Sequence, residues 1–382
     1  MATPRTVLFA DTSPFLGGAA RSLLDLLGAL PLGEVRPLLA AACDEVCAAA
    51  RSAGVETFQL RFPLPSRSLA PWRSLPAMAQ MLSTRRELSG IAGRMGAELV
   101  HANSTWAHLI AGDLLGLPGV WHCRDLTRLS MLSGRLADTA ARVVATSQGV
   151  AGHLTAQGIP PDLVRVIHNG VSVEGVPSPE ERAALRAALR AGWRVPADAP
   201  VLAWAGEFAP WKRTEDFLSA VAELRRRHPA VRALVLGEAL SEEHKERPGQ
   251  LAAFANRLGI GAAVSFLGWR RDVPRCLAAA DLLVLTSENE PFGRILVEAM
   301  AAGVPVVARN GGGVSEVLGR ETGLIIEAPS AADFAAAADR LLSDPRECAE
   351  MAAAGVRRAR DMFAPELAAG RILELYREVW SR

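Results

Sequence analysis

Short apolar runs alternate with segments of helical periodicity from one end of the chain to the other. In the first half the runs are Thr6–Phe9, Arg36–Ala41, Thr57–Leu60, Glu98–His101, Gly119–His122, Val143–Thr146 and Val164–Ile167. Helical stretches such as Ala19–Leu30 and Thr105–Leu115 lie between them. The second half repeats the alternation with runs at Val201–Ala205, Val231–Leu236, Val264–Phe266, Leu282–Leu285, Pro305–Ala308 and Gly323–Ile326. A helix from Thr214 places Phe217, Val221 and Leu224 on one face and is ended by Pro229. Buried strands alternating with helices predict an α/β architecture built on parallel sheet.

The alternation breaks once, at Val171–Ser178. Asn169-Gly170 closes a strand with a turn signal, two prolines follow, and Ser178-Pro179-Glu180-Glu181 reads as a capping box opening a new helix. A chain of 382 residues exceeds one ordinary core, and two domains of roughly 170–200 residues each are expected. The expected division is an N-terminal domain over 1–172, a C-terminal domain over 178–363, and a last helix over 364–382 that packs on either domain, with the N-terminal one named first.

Composition narrows the class. Half the residues are hydrophobic and 22% are charged, which fits a packed globular protein. Residues 1–175 carry 15 Arg and no Lys against 13 acidic residues, leaving 27 basic against 28 acidic in the remainder. Neither half is a polyanion-binding tail, so nucleic acid is not the expected partner. No signal-like leader and no membrane-spanning apolar run is read from the sequence, so a cytoplasmic protein is expected. The five cysteines are scattered and the seven histidines show no ligand spacing; no metal site and no cofactor is expected. Phosphate-loop and dinucleotide glycine motifs are both missing.

The stretch richest in chemistry is Thr286-Ser-Glu-Asn-Glu290-Pro-Phe-Gly293-Arg-Ile-Leu-Val-Glu298, closing at Gly303-Val-Pro305. A buried strand runs into a polar loop, and a helix is predicted to begin near Phe292–Gly293. A helix start at the carboxyl edge of a parallel sheet suits a diphosphate. Carboxylates such as Glu290 and Glu298 each accept two hydrogen bonds and suit paired sugar hydroxyls. Upstream, Lys212 and Arg213 follow another buried strand. In the first half, Gly17-Gly18 at the first strand–helix turn permits close backbone approach, and His122, Arg124 and Asp125 follow a strand.

At these residues the chain resembles glycosyltransferase family 4, the retaining group of GT-B fold. Glu290 and Glu298, with seven residues between them, match its E-x7-E motif, and Gly303-Val-Pro-Val-Val307 and Gly311-Gly-Gly-Val-Ser-Glu316 fit its pattern. The similarity extends across nearly the whole chain. It implies two Rossmann-like domains facing a central cleft, with Glu290 on the transferred sugar and Glu298 on the nucleotide ribose. Amides near Phe292 and Gly293, with Lys212, Arg213 and Gly18, would hold the donor. His122 would face the reacting sugar, and Gly17, Asn103, Arg124 and Asp125 are the acceptor contacts. One departure stands out: the family commonly has Arg where this chain has Glu207. A carboxylate there repels phosphate unless it is paired, and Arg213 is the first candidate to neutralise it.

The resemblance implies a hexosyltransferase that is metal-independent and retaining. It would work by front-face attack through an oxocarbenium-like state, with a donor phosphate oxygen taking the acceptor's proton. The donor is a nucleoside-diphosphate sugar, UDP before GDP. The acceptor is a glycan, a lipid-linked or a small-molecule hydroxyl. The alternatives are a non-catalytic nucleotide-sugar-binding partner of the same fold, motivated by Glu207, and a nucleotide-sugar epimerase. Residues 61–94 carry Trp72, Met78, Met81 and Leu82 among six arginines. They read either as a peripheral patch for the inner membrane face or as a partly covered basic helix.

Overall fold

Among the described residues, thirteen strands form two wholly parallel sheets in the computed structural model. It describes residues 3–62, 71–173 and 176–382, with only the backbone at 71–75, 130 and 179. The strands are β1 (Arg5–Asp11), β2 (Val35–Ala41), β3 (Glu56–Gln59), β4 (Leu99–Ala102), β5 (Gly119–Cys123), β6 (Arg142–Ala145), β7 (Val164–Val166), β8 (Val201–Ala205), β9 (Arg232–Leu236), β10 (Val264–Gly268), β11 (Leu282–Leu285), β12 (Val306–Arg309) and β13 (Gly323–Ile326). The first sheet has the order β3-β2-β1-β4-β5-β6-β7 and the second β10-β9-β8-β11-β12-β13. Both are doubly wound, and strand order reverses at β1/β4 and at β8/β11. Such a sheet presents its ligand crevice outside the carboxyl ends of the strands where the order reverses.

Each apolar run of the sequence is one of these strands, with ends displaced by a few residues. The central strands are buried on both faces: Val7, Leu8 and Phe9 have no exposed surface, nor have Val201, Leu282 or Val306 beyond a per cent, whereas β3, β7 and β10 at the sheet edges are part-exposed. That is why the central strands read as continuous apolar runs rather than alternating ones. The predicted helix Thr105–Leu115 stops at Ala111. Leu115 takes a left-handed φ of 55° in a short turn, and Pro118, just beyond, cannot continue a helix.

The chain forms two compact units, one of Met1–Gly170 with Pro365–Arg382 and the other of Val171–Ala364. The passage from one to the other falls at the first residue of the expected seam; 174 and 175 lie outside the described residues. The final helix, Pro365–Trp380, buries Ala369, Ile372, Leu373, Tyr376 and Val379 on the same face of the first sheet as the helix Gly18–Ala29. In the second unit the capping box is present: Ser178 Oγ accepts from the Glu181 amide at 3.2 Å, and Glu181 accepts from the Ser178 amide at 3.0 Å. Arg186 and Arg190 of that helix both pair with Asp281, whose carboxylate also accepts from the Val201 amide at 2.7 Å. This fixes the start of β11 against β8.

No helix of the described residues is long and apolar enough to cross a membrane. The segment at 61–94 is a helix over Pro71–Met95 whose later half is anchored: Leu88, Ile91 and Ala92 are buried, and Arg85 pairs with Asp113 at 2.7 Å. Met78 and Leu82 are exposed. Arg67 lies outside the described residues, as do the side chains of Trp72 and Arg73.

Candidate active site

In the second unit the polar cluster is built by the loops after β8 and β11. Thr286 accepts from the buried indole N–H of Trp204 at 3.1 Å and donates to the carbonyl of Lys212 at 2.8 Å. The Glu288 amide donates to the Trp211 carbonyl at 2.9 Å. The two loops are thus stitched together, and Lys212 has a fixed backbone. Its Nζ donates to both carboxylate oxygens of Glu290, at 2.7 and 3.1 Å, and lies 4.2 Å from the centre of the Trp211 ring.

Glycines shape the loop around Glu290. The Glu290 carbonyl accepts from the Gly313 amide at 2.8 Å. Gly312 has φ +62°, and a Cβ there would lie 2.1 Å from that carbonyl. Gly293 is also left-handed, with φ 84° and ψ 57°. For that reason the helix begins at Arg294, one residue beyond the predicted Phe292–Gly293 start, and runs to Ala301. Glu298 is its fifth residue, 6% exposed, and accepts from Arg294 Nε at 3.1 Å. The Phe292 side chain is buried edge-on against Phe363.

Arg213 does not neutralise Glu207. Its guanidinium forks onto Asp216 at 3.0 and 3.2 Å and stands 3.7 Å from Glu288. The reason is local: Asp216 lies in the first turn of the next helix, Thr214–Arg225, three residues from Arg213 and within reach without bending the chain. Glu207 is half-buried and makes no ion pair among the described residues. Burial pushes its carboxyl pKa up, opposed by the charges of His244 and Lys212. The site therefore carries a carboxylate in the field of its one lysine.

In the first unit the cluster gathers the loops after β1, β4, β5 and β7. Arg124 Nε donates to Asn103 Oδ1 at 2.6 Å, Nη1 donates to Asn169 Oδ1, and Nη2 lies 3.3 Å from His122 Nδ1. Asn103 is fully buried, and its amide donates to Asp11 at 2.8 Å. Burial pushes the Asp11 carboxyl pKa up, against its bonds to Asn103 and Ser13. His122 is 3% exposed; its Nδ1 lies 3.1 Å from His101 Nε2, and His101 Nδ1 lies 2.6 Å from the Tyr376 hydroxyl. Burial, reinforced by Arg124, depresses the pKa of His101 to about 3 and that of His122 well below the usual value. Asp125 closes a turn on the Thr127 amide at 3.0 Å. A Cβ at Gly17 would strike the Phe15 ring at 2.7 Å, whereas nothing lies within 4 Å of one at Gly18.

The sequence brought attention to His122, Arg124 and Asn103 but missed Asp11, His101, Thr286 and Tyr376. Two left a trace. His101 is a polar residue closing a buried strand, and Tyr376 is the only tyrosine of the chain, placed on the apolar stripe of the last helix.

A doubly wound sheet in each unit, with a polar cluster at its carboxyl edge, defines the GT-B class of two Rossmann-like units. The chain is similar along 98% of its length to the crystal structure of Anabaena HepE in complex with UDP-glucose, at 25% identity and TM-score 0.82, covering 99% of that chain. It shares its fold with a glycosyltransferase from Rickettsia africae (TM-score 0.83, 19% identity, 99% of each chain). The Glycosyltransferase Family 4 profile matches residues 16–174, and that of Glycosyl transferases group 1 matches residues 186–358. The D-inositol 3-phosphate glycosyltransferase of Saccharomonospora viridis is 31% identical over 307 residues, 74% of this chain and 70% of that protein. The chain belongs to glycosyltransferase family 4. A protein of the same name from Segniliparus rotundus is 34% identical over 298 residues, 75% of this chain. The chain spans 62% of that relative's length and 64% of its Rhodococcus opacus counterpart's.

Proposed function

We propose that this protein is a retaining, metal-independent glycosyltransferase that moves a hexosyl group from a nucleoside-diphosphate sugar to an acceptor hydroxyl. The observation that carries the reading is the Lys212–Glu290 pair at the β8/β11 reversal, with Glu298 one helix further on. Lys212 would take the charge that develops on the leaving diphosphate. Glu290, released from Lys212 by the phosphate, would accept from sugar hydroxyls, and Glu298 from the ribose. In the first unit Gly17, Asn103, Arg124 and Asp125 would contact the acceptor, His122 would face the reacting sugar, and Gly18 would contribute to donor binding. A UDP-sugar is the favoured donor, supported by the likeness to a protein solved with UDP-glucose. The names of the relatives favour a phosphorylated polyol among the acceptor classes, and glycan and lipid-linked hydroxyls remain in the set to be tried.

The test is a thermal-shift screen over UDP-, GDP-, ADP- and dTDP-sugars, followed by transfer assays with and without a chelator. A donor at 100 times its Kd stabilises the fold by about 2.7 kcal/mol. Transfer that survives the chelator, with the anomeric configuration kept, is the expected result. Loss of activity restored by magnesium or manganese would overturn metal independence. A second reading, a donor-binding partner without turnover, is favoured by Glu207, which makes no ion pair among the described residues, and predicts donor binding with no product.

A further inference from the structure

His101 and His122 lie on the neighbouring strands β4 and β5, on the sheet face covered by the final helix, and Tyr376 reaches His101 from that helix. The tautomers follow from counting donors. Among the described residues the Tyr376 hydroxyl meets one polar atom, His101 Nδ1 at 2.6 Å, so its hydrogen goes there and Nδ1 accepts. The proton of the neutral His101 ring is then on Nε2, which donates to His122 Nδ1 at 3.1 Å. Arg124 Nη2, which can only donate, faces the same Nδ1 at 3.3 Å. Two independent donors therefore converge on His122 Nδ1, and its proton is on Nε2. That atom is buried and has no partner among the described residues, the condition of a donor kept for a ligand.

We propose that Tyr376 and His101 are positioning residues that hold His122 as the Nε2–H tautomer, so that it offers the sugar substrate a hydrogen-bond donor and not a base. The assignment of a substrate to this atom rests on the transferase reading; the tautomer does not. Burial keeps both rings neutral, so His122 neither takes the acceptor's proton nor gives one up. Such a donor suits a substrate oxygen that gains negative charge, a sugar hydroxyl or the glycosidic oxygen. The final helix, remote in sequence, thereby sets the polarity of a group at the end of β5.

A long-range proton–nitrogen correlation spectrum of the full chain with isotope-labelled histidine reads the tautomers directly, with no substrate present. The expected spectrum has His101 and His122 both neutral and both protonated on Nε2. His122 found protonated on Nδ1, or as the cation near neutral pH, would overturn the proposal whether or not the protein transfers sugar. Tyr376→Phe keeps the ring and removes the hydroxyl proton. It should bring a population of His101 Nδ1–H and lower kcat about five- to tenfold, the worth of one neutral hydrogen bond, with donor KM unchanged. Unaltered tautomers and unaltered kcat in that variant would also overturn it. Should Tyr376→Phe fold poorly, His101→Gln gives the second arm. It retains an N–H toward His122 Nδ1 and should keep the Nε2–H signal of His122 at full strength, whereas His101→Met, which leaves Arg124 as the remaining donor at 3.3 Å, should bring a population of the Nδ1–H tautomer.

Discussion

Lys212 reaches Glu290 through both carboxylate oxygens, and the two side chains are only 12% and 10% exposed. The cation proposed to bind the donor is therefore paired with a carboxylate, and a diphosphate would have to compete for it. Glu290→Gln removes the competitor and, by the proposed role, a sugar contact. Affinity for UDP should hold or rise, while transfer falls about 10²-fold, the scale of losing one charge-stabilising group. Calorimetry beside initial rates separates the two effects. A parallel loss of both would mean that Glu290 acts only by keeping the loop folded.

Glu207 gives a second prediction about donor affinity. Its carboxylate is half-buried, unpaired among the described residues, and in the field of Lys212. Glu207→Gln should tighten UDP-glucose binding about fivefold, or about 1 kcal/mol. Since burial raises the carboxyl pKa, acid protonates this group earlier than an ordinary glutamate. Wild-type affinity should therefore rise as pH falls toward that raised value, and the trend should vanish in Glu207→Gln. Equal affinities at every pH would place the carboxylate away from the phosphates.

The glycines around Glu290 separate fold from function. Gly312→Ala puts a methyl 2.1 Å from the Glu290 carbonyl at a left-handed φ of +62°. It should cost the second unit about 2–3 kcal/mol and displace Glu290, so that activity falls with stability. Gly18→Ala meets nothing within 4 Å, so its stability should stay within about 0.5 kcal/mol. If a ligand approaches that backbone, activity drops alone. Chemical denaturation run beside the assay distinguishes the two.

The central strands were legible because parallel sheet buries both their faces and writes each as one apolar run, whereas the edge strands β3 and β7 carry polar residues. The helix starts were less so, since Gly293 reads from sequence as a helix opening and only its dihedrals show it to be a left-handed cap. Glu290 and Lys212 could be singled out by their place after buried strands. The pairing of Arg213 could not, because Asp216 and Glu207 are both within a few residues and only the turn decides between them. Tyr376 and His101 were beyond reach for another reason: 275 residues separate them, and no periodicity links a last helix to a fourth strand.

Acid should unfold the chain through its first unit. Burial depresses the pKa of His101 to about 3 and that of His108 to about 4, from 6.5. Below about pH 6.5 the unfolded chain binds protons that the folded one refuses, so stability falls with acid until each folded-state pKa is passed. Each histidine contributes up to about 1.4 kcal/mol per pH unit; Asp11, whose carboxyl pKa is raised, works in the other sense. His108 stacks on Trp121 and lies 3.1 Å from the Leu136 carbonyl through Nε2. His108→Gln keeps a donor for that carbonyl and should flatten the slope by one histidine's worth. Denaturant midpoints between about pH 4 and 7 give the slope, and an unchanged slope would show that His108 titrates normally in the fold.

If Lys212 holds the diphosphate of a nucleotide sugar, calorimetric titration of UDP-glucose into wild type and Lys212→Ala, both in chelator, will show it. The wild type should bind saturably without metal, and the variant at least tenfold more weakly, as expected for losing a hydrogen bond to a charged group at about 1.5–3 kcal/mol. Equal affinities in a folded variant, or wild-type binding that appears only when a divalent metal is supplied, would contradict it.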